Sequence, residues 1–298
     1  MAQDKLGFIW IGTYDGLNRY DGTNVVVYRN IPGRPDSLPD NSIRTLFVDP
    51  VDGTLLVGTK NGGLAVYDRE TDRFRPYPTA APYPSGDVDK EIRAIARDAA
   101  GNIWVGGATG LARIVPATGV VDAMPLTNRD GNAATTPVIA IKNRADGSLL
   151  VATSSSVHAV NPLDGKDALL LPGPLGELPA EARINGISCD GPDTLWVLTE
   201  IHGAYRFNQA TGQSDHHLPG LAAWFAFRDS GGGLFIGTNR GLARMRPDPD
   251  QPEKLIPSMA VNNPLDPESL SQDEVLCALE DAGAGLGQQG LEIDLNPV

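Results

Sequence analysis

The chain has 298 residues, 41% of them hydrophobic, and a formal net charge of −13. That apolar content excludes a disordered chain, and the acidic balance repels phosphate backbones and anionic bilayers, so neither nucleic acid nor membrane insertion is expected. The longest apolar run, Leu221 to Phe227, is far below the ~18 residues of a spanning helix. Cys189 and Cys277 are too few for a disulfide framework and are expected as small buried thiols.

Read in chain order, the sequence repeats itself. Trp10-Ile11-Gly12-Thr13 returns as Leu56-Val57-Gly58-Thr59, Trp104-Val105-Gly106-Gly107, Leu150-Val151-Ala152-Thr153, Trp196-Val197-Leu198-Thr199 and Phe235-Ile236-Gly237-Thr238. A period of ~40–50 residues built from short strands predicts a β-propeller. Repeats start with an apolar strand that usually ends in Asp: Ile43 to Asp49, Ile92 to Asp98, Ile184 to Asp190, Ala223 to Asp229 and Val275 to Asp281, with Arg144 ending Val138 to Arg144. Turns such as Asp52-Gly53 and Ala100-Gly101-Asn102 follow, then the Trp-Ile-Gly-Thr type strand. A second turn comes next (Asp15-Gly16, Asn61-Gly62-Gly63), and then a third strand such as Leu64 to Tyr67. Arg73-Phe74-Arg75-Pro76-Tyr77 reads as an outer edge strand, blunted by Pro and Arg. The Trp is expected to fill the wedge between blades, and the Gly after it to allow close approach. A helical repeat is excluded because no window keeps a 3.6-residue period.

The expectation is an all-β fold: four-stranded antiparallel blades, six clear and a seventh incomplete or composite. It is read as one propeller domain over 1–298, with approximate blades 1–35, 36–86, 87–131, 132–178, 179–217, 218–263 and 264–298.

Phe8 to Asp21 (FIWIGTYDGLNRYD) and Asp52 to Asp68 (DGTLLVGTKNGGLAVYD) resemble the repeat of the two-component regulator propeller family. So do the segments Arg34-Pro35-Asp36-Ser37-Leu38-Pro39-Asp40-Asn41 and Asp266-Pro267-Glu268-Ser269-Leu270-Ser271-Gln272-Asp273. Repeat four departs in lacking the Trp and in using Ser154-Ser155-Ser156 at the second turn; repeat five has Leu198 for Gly. Ala284 to Leu291 lacks the Trp-Ile-Gly-Thr residues, and Met1-Ala2-Gln3-Asp4 reads as the tail of a strand. The chain therefore reads as a fragment or shortened form of a larger sensor, without a signal peptide. It would stay cytoplasmic if made as it stands. The resemblance implies a periplasmic ligand-sensing module of a histidine kinase or diguanylate cyclase receptor, homodimeric when intact and without catalysis in the propeller. The partner is expected to be a small anionic or carbohydrate ligand, or another protein domain. A lyase- or lactonase-type propeller enzyme and a protein-interaction scaffold are the alternatives.

No cofactor or metal is expected. His158, His202, His216 and His217 lack zinc-ligand spacing, and His216-His217 is expected in an exposed loop. Ser154-Ser155-Ser156 has no Gly-x-Ser-x-Gly context and reads as a turn. Asn128-Arg129-Asp130-Gly131-Asn132 is only a partial match to a calcium loop. One column stands out. Aligning the first strands on their last residue places Arg44, Arg93, Ile139, Asn185, Trp224 and Leu276 together. Its neighbours are uniformly small or apolar, while this position changes chemistry from repeat to repeat. The starts of innermost strands open onto a propeller's channel, so Arg44, Arg93, Asn185 and Trp224 are the candidate ligand-binding residues, donors and a stacking face. The competing structural reading is ordinary ion pairing with nearby carboxylates.

Overall fold

The computed structural model describes residues 1–77, 90–134, 136–251, 253–280 and 291–294. They form strands and turns with no helix, arranged as six four-stranded antiparallel sheets and two short hairpins. The fold is an all-β propeller architecture. The chain divides into two compact units, Met1–Leu170 and Leu171–Val298.

In the first unit, blade one runs Ala2–Gln3, Ile9–Thr13, Gly16–Tyr20 and Val25–Tyr28. Blade two runs Ile43–Val48, Leu55–Thr59, Leu64–Asp68 and Arg73–Pro76. Blade three is built from Ile92–Arg97, Ile103–Gly107, Gly110–Val115 and Val120–Met124. Blade four is built from Val138–Asn143, Leu149–Thr153, Val157–Val160 and Asp167–Leu171. In the second unit, blade five runs Ile184–Cys189, Thr194–Thr199, Ala204–Asn208 and Ser214–His217. Blade six runs Ala223–Arg228, Leu234–Thr238, Gly241–Pro247 and Leu255–Ala260. Cys277–Glu280 then pairs antiparallel with Leu291–Asp294. Each sheet is a simple meander, and within each unit the first strands of successive blades pack side by side.

The repeated residues do what their chemistry requires. Trp10 and Trp104 are fully buried and pack on the next blade, Trp10 with Ile43 and Val57, Trp104 with Val138 and Val151. Their indole N–H groups need acceptors, and the Asp that ends the first strand supplies one. Trp10 Nε1 donates to Asp4 at 3.0 Å and Trp104 Nε1 to Asp98 at 2.9 Å. Asp98 also accepts from the Asn102 amide and side chain in the following turn, both at 2.9 Å. In blade four Leu150 replaces Trp, there is no indole to satisfy, and Arg144 stands where Asp would. The residue before the terminal Asp latches onto the preceding blade: Arg97 pairs with Asp49, and Arg228 reaches both Asp190 oxygens at 2.5 Å. Gly12 and Gly58 allow the close approach expected of them. A Cβ on Gly12 would lie 2.5 Å from Ile43 Cγ2, and one on Gly58 2.8 Å from the Ile92 carbonyl.

The Ser-Leu segments fold into one repeated loop. Ser37 Oγ accepts from the Ile31 amide at 3.0 Å and donates to the Arg34 carbonyl at 2.8 Å; Ser269 does the same with Asn263 and Asp266, each at 2.8 Å.

Several expectations are corrected. His216-His217 belongs to the outer strand of blade five: His216 stacks on Tyr205 with ring centroids 4.3 Å apart, and His217 is buried. Cys189 and Cys277 form no disulfide and are only half-buried. Asn128 to Asn132 is a hairpin tip, the Asn128 side chain accepting from the Asp130 and Asn132 amides. Blade one's outer strand carries exposed Val25, Val26 and Val27 instead of Pro and Arg. The strand expected from Val275 begins at Cys277; Asp281 and residues 284–290 of the last repeat lie outside the described residues.

Candidate functional site

The column of variable residues has a common structural cause. In every complete blade after the first, the pairing of first and second strand slips at one place. Ile43 pairs with Thr59 and Thr45 with Gly58, leaving Arg44 between them. The same slip leaves out Arg93, Ile139, Asn185 and Trp224. Each is the extra residue of a β-bulge, unpaired by backbone and re-aimed relative to the alternating pattern. A bulge releases its residue from the sheet's packing code, which explains why this position alone varies. Leu276 directly precedes the strand Cys277–Glu280.

In the first unit the structure brings two candidates together. Arg44 Nε lies 3.0 Å from Glu91 Oε1, and an Arg93 terminal nitrogen lies 3.0 Å from Glu91 Oε2. The three side chains line a cavity of about 180 Å3. Tyr14 contributes an aromatic face, its ring centre 5.9 Å from the Arg44 guanidinium carbon. Burial pushes the Glu91 carboxyl up, but the Arg93 hydrogen bond and the charges of Arg93, Arg44 and Lys60 outweigh it. The group is held below its ordinary value and is ionised at neutral pH. Three cations thus surround one carboxylate. The two guanidinium groups are neighbours, and both are ion-paired with Glu91, which is the competing reading of this column.

In the second unit, the Asn185 side-chain amide donates to the Ala223 carbonyl at 3.1 Å. Trp224 is half-buried, and its indole N–H has no hydrogen-bond partner among the described residues, as is also the case for the fully buried Trp196.

Sequence reasoning missed Glu91, Lys60 and Tyr14. The only available signal was the Glu two positions before a bulge Arg. A larger cavity of about 930 Å3 lies at the opposite ends of the blade two and three strands. Its Asp49 and Arg97 are already committed to each other as an inter-blade latch. No group of three or more His, Cys, Asp or Glu side chains among the described residues is arranged to hold a metal ion. The described residues contain no helix long and apolar enough to cross a membrane.

Comparisons with known proteins place this geometry. Residues 86–109 match the model of the two component regulator propeller family. A histidine kinase from Formosa agariphila is 53% identical over 32 residues, 11% of this chain and 2% of that protein. Among solved structures, the extracellular domain of a chain described as a hybrid two component system from B. thetaiotaomicron superposes with a TM-score of 0.75 at 22% identity, covering 94% of this chain. This chain spans only 35% of that one. A streptogramin B lyase superposes with a TM-score of 0.60 at 16% identity, covering 88% of this chain and 82% of the lyase. At these identities the superpositions speak for the fold. Residues 86–109 thus carry a two component regulator propeller repeat, within a chain that has the β-propeller architecture of the extracellular domain it superposes on.

Proposed function

We propose that this chain is a ligand-sensing propeller module of a periplasmic receptor of the two-component or cyclic-di-GMP type, and that the propeller binds rather than catalyses. The observation that carries the reading is the Arg44–Glu91–Arg93 cluster on two successive bulges. In a chain of net charge −13, paired guanidinium groups with Lys60 nearby are a local exception that favours an anion. Glu91 is then an internal counter-ion that a carboxylate-bearing ligand displaces. The half-exposed Trp224 ring, with Asn185 at the same register of the neighbouring blade, suits a ligand with a flat face, such as a sugar.

The test is a thermal-shift screen of organic acids, acidic oligosaccharides and amino acids. A ligand at 100 times its Kd stabilises by about 2.7 kcal/mol. Arg93→Ala removes a charge-assisted hydrogen bond worth about 1.5–3 kcal/mol, so the Kd rises at least about tenfold. Glu91→Gln removes the competitor, so an anionic hit binds more tightly. A hit whose affinity ignores both substitutions refutes the site. The lyase superposition favours one other reading, an enzyme; turnover of a ligand found in the same screen would establish it.

A further inference from the structure

Blade four contains a chain of hydrogen bonds that its sister blades lack. At the turn between second and third strand, a Thr hydroxyl donates to a Gly carbonyl: Thr13 to Gly16 at 3.0 Å, Thr59 to Gly63 at 2.8 Å, Thr199 to Gly203 and Thr238 to Gly241 at 2.7 Å. In blade four the corner is Thr153 and Ser156, so a hydroxyl stands where the sister blades have glycine. Two residues on, His158 pairs with Val151, the register held by Ala65, Ala112 and Ala243 opposite Val57, Val105 and Ile236, by Asn18 in blade one and by Tyr205 in blade five. The position accepts different side chains, and the blade architecture does not require a histidine there.

The contacts run in line. Ser156 Oγ lies 2.8 Å from His158 Nε2, and His158 Nδ1 lies 2.8 Å from Asp167 Oδ2. The His158 and Asp167 side chains are 3% and 7% exposed, while Ser156 is partly exposed on the turn. The proton positions follow from the donors. The Thr127 amide and hydroxyl both donate to Asp167, at 2.9 and 2.6 Å. Burial pushes the Asp167 carboxyl up, but these bonds and His158 outweigh it and hold it ionised, hence acceptor-only. His158 then donates from Nδ1, leaving the Nε2 lone pair to accept from the Ser156 hydroxyl, and Thr153 Oγ1, 2.6 Å from Ser156 Oγ, is the donor in the contact between those two hydroxyls. Burial, opposed by Asp167, keeps the imidazole below its ordinary value and neutral at pH 7. This is the arrangement of a serine nucleophile, its base and the orienting carboxylate, which is recognised by geometry and not by chain order.

We propose that Ser156, His158 and Asp167 form a nucleophilic serine site that captures activated acyl and phosphonyl groups. With a phosphonofluoridate, Ser156 Oγ attacks phosphorus, its proton passes to His158 Nε2, a P–O bond forms, the P–F bond breaks and fluoride leaves. With an activated ester, the attack gives acyl-Ser156, and the departing alkoxide takes the proton back from His158. The Ser155 and Ser156 amides both donate to Thr153 Oγ1, at 3.3 and 3.0 Å, so the turn does not offer them to an oxyanion. Capture is therefore stoichiometric, without turnover, and independent of the ligand site at the bulges.

The full chain is incubated with a fluorophosphonate probe and the adduct is located by peptide mass mapping. The three consecutive serines supply an internal control. The expected result is one adduct per chain, on Ser156, formed at least about 100-fold faster than on Ser154 or Ser155. His158→Gln, matched for melting temperature, is expected to slow it by about 100-fold or more, the range of a general base. No adduct on Ser156, an even spread over the three serines, or labelling indifferent to His158→Gln overturns the proposal. The selectivity among the serines decides the matter even where the variant does not fold.

Discussion

Exchanging the sizes of Leu198 and Ala223 tests how the blades interlock. Elsewhere a Gly on the second strand faces a β-branched residue that begins the next blade: Gly12 with Ile43, Gly58 with Ile92, Gly106 with Val138. Blade five reverses the sizes. Leu198 replaces the Gly, Ala223 replaces the β-branched residue, and both are completely buried in one cluster. Leu198→Gly alone removes a buried leucine with nothing large opposite, and loses about 3–5 kcal/mol. Ala223→Ile alone forces a larger side chain against Leu198 and costs about 1–3 kcal/mol. The double variant recreates the Gly–Ile pairing of blades one and two, so the isoleucine fills the space vacated by the leucine. It is expected to be no less stable than Leu198→Gly, with a favourable coupling of about 2 kcal/mol. Urea unfolding followed by far-UV circular dichroism and tryptophan fluorescence measures all three. Additivity within about 0.5 kcal/mol would show that the two positions do not share space and refute the reasoning.

Two further outcomes follow from buried polar groups. Asp98→Ala leaves the buried Trp104 N–H and the Asn102 amide without their acceptor, and is expected to cost at least about 2 kcal/mol in urea unfolding, whereas the matching change at exposed Asp130 costs under about 0.5 kcal/mol; equal small losses would refute the role of the strand-end Asp. Acidification is expected to destabilise the chain, because burial holds His158 neutral despite Asp167, and burial with the Arg206 and His216 charges holds His217 neutral despite Asp215. The unfolded chain takes up these protons below about pH 6.5 while the folded chain does not, so stability is full above that pH and falls as pH drops through it. The urea midpoint at pH 5.5 should lie below that at pH 7.5, and His217→Gln should narrow the gap; a midpoint that rises on acidification refutes this account.

The blade architecture was legible because it rests on local chemistry that recurs along the chain: an apolar strand, a Gly or Asp turn, then a large apolar residue that is Trp in three repeats and a Gly that follows it in four. What escaped the sequence depends on register. The Arg44 and Arg93 column was visible as an irregularity, but its cause, one unpaired residue per first strand, appears only when Ile43 and Thr45 are seen paired to consecutive residues. Glu91 was invisible because its meaning comes from Arg44 on another blade. His216-His217 was misread because a polar outer strand has no apolar alternation; it is placed by pairing with Ala204 and Tyr205.

Internal repetition also separates departures that serve packing from departures that add chemistry. A departure made for packing comes with a partner of complementary size, as Leu198 does with Ala223. Blade four's His158 has no such partner. It stands in a slot that holds alanine in three sister blades, Asn18 in blade one and Tyr205 in blade five, and it alone brings a buried carboxylate and a turn hydroxyl in hydrogen-bonded sequence. Burying an ionisable pair costs stability unless every polar atom is satisfied, and here Ser156, Asp167 and Thr127 supply the hydrogen bonds. The bulge residues make the same point from the other side. Arg44, Arg93, Asn185 and Trp224 vary because the bulge exempts them from packing, so their chemistry is free to follow a ligand.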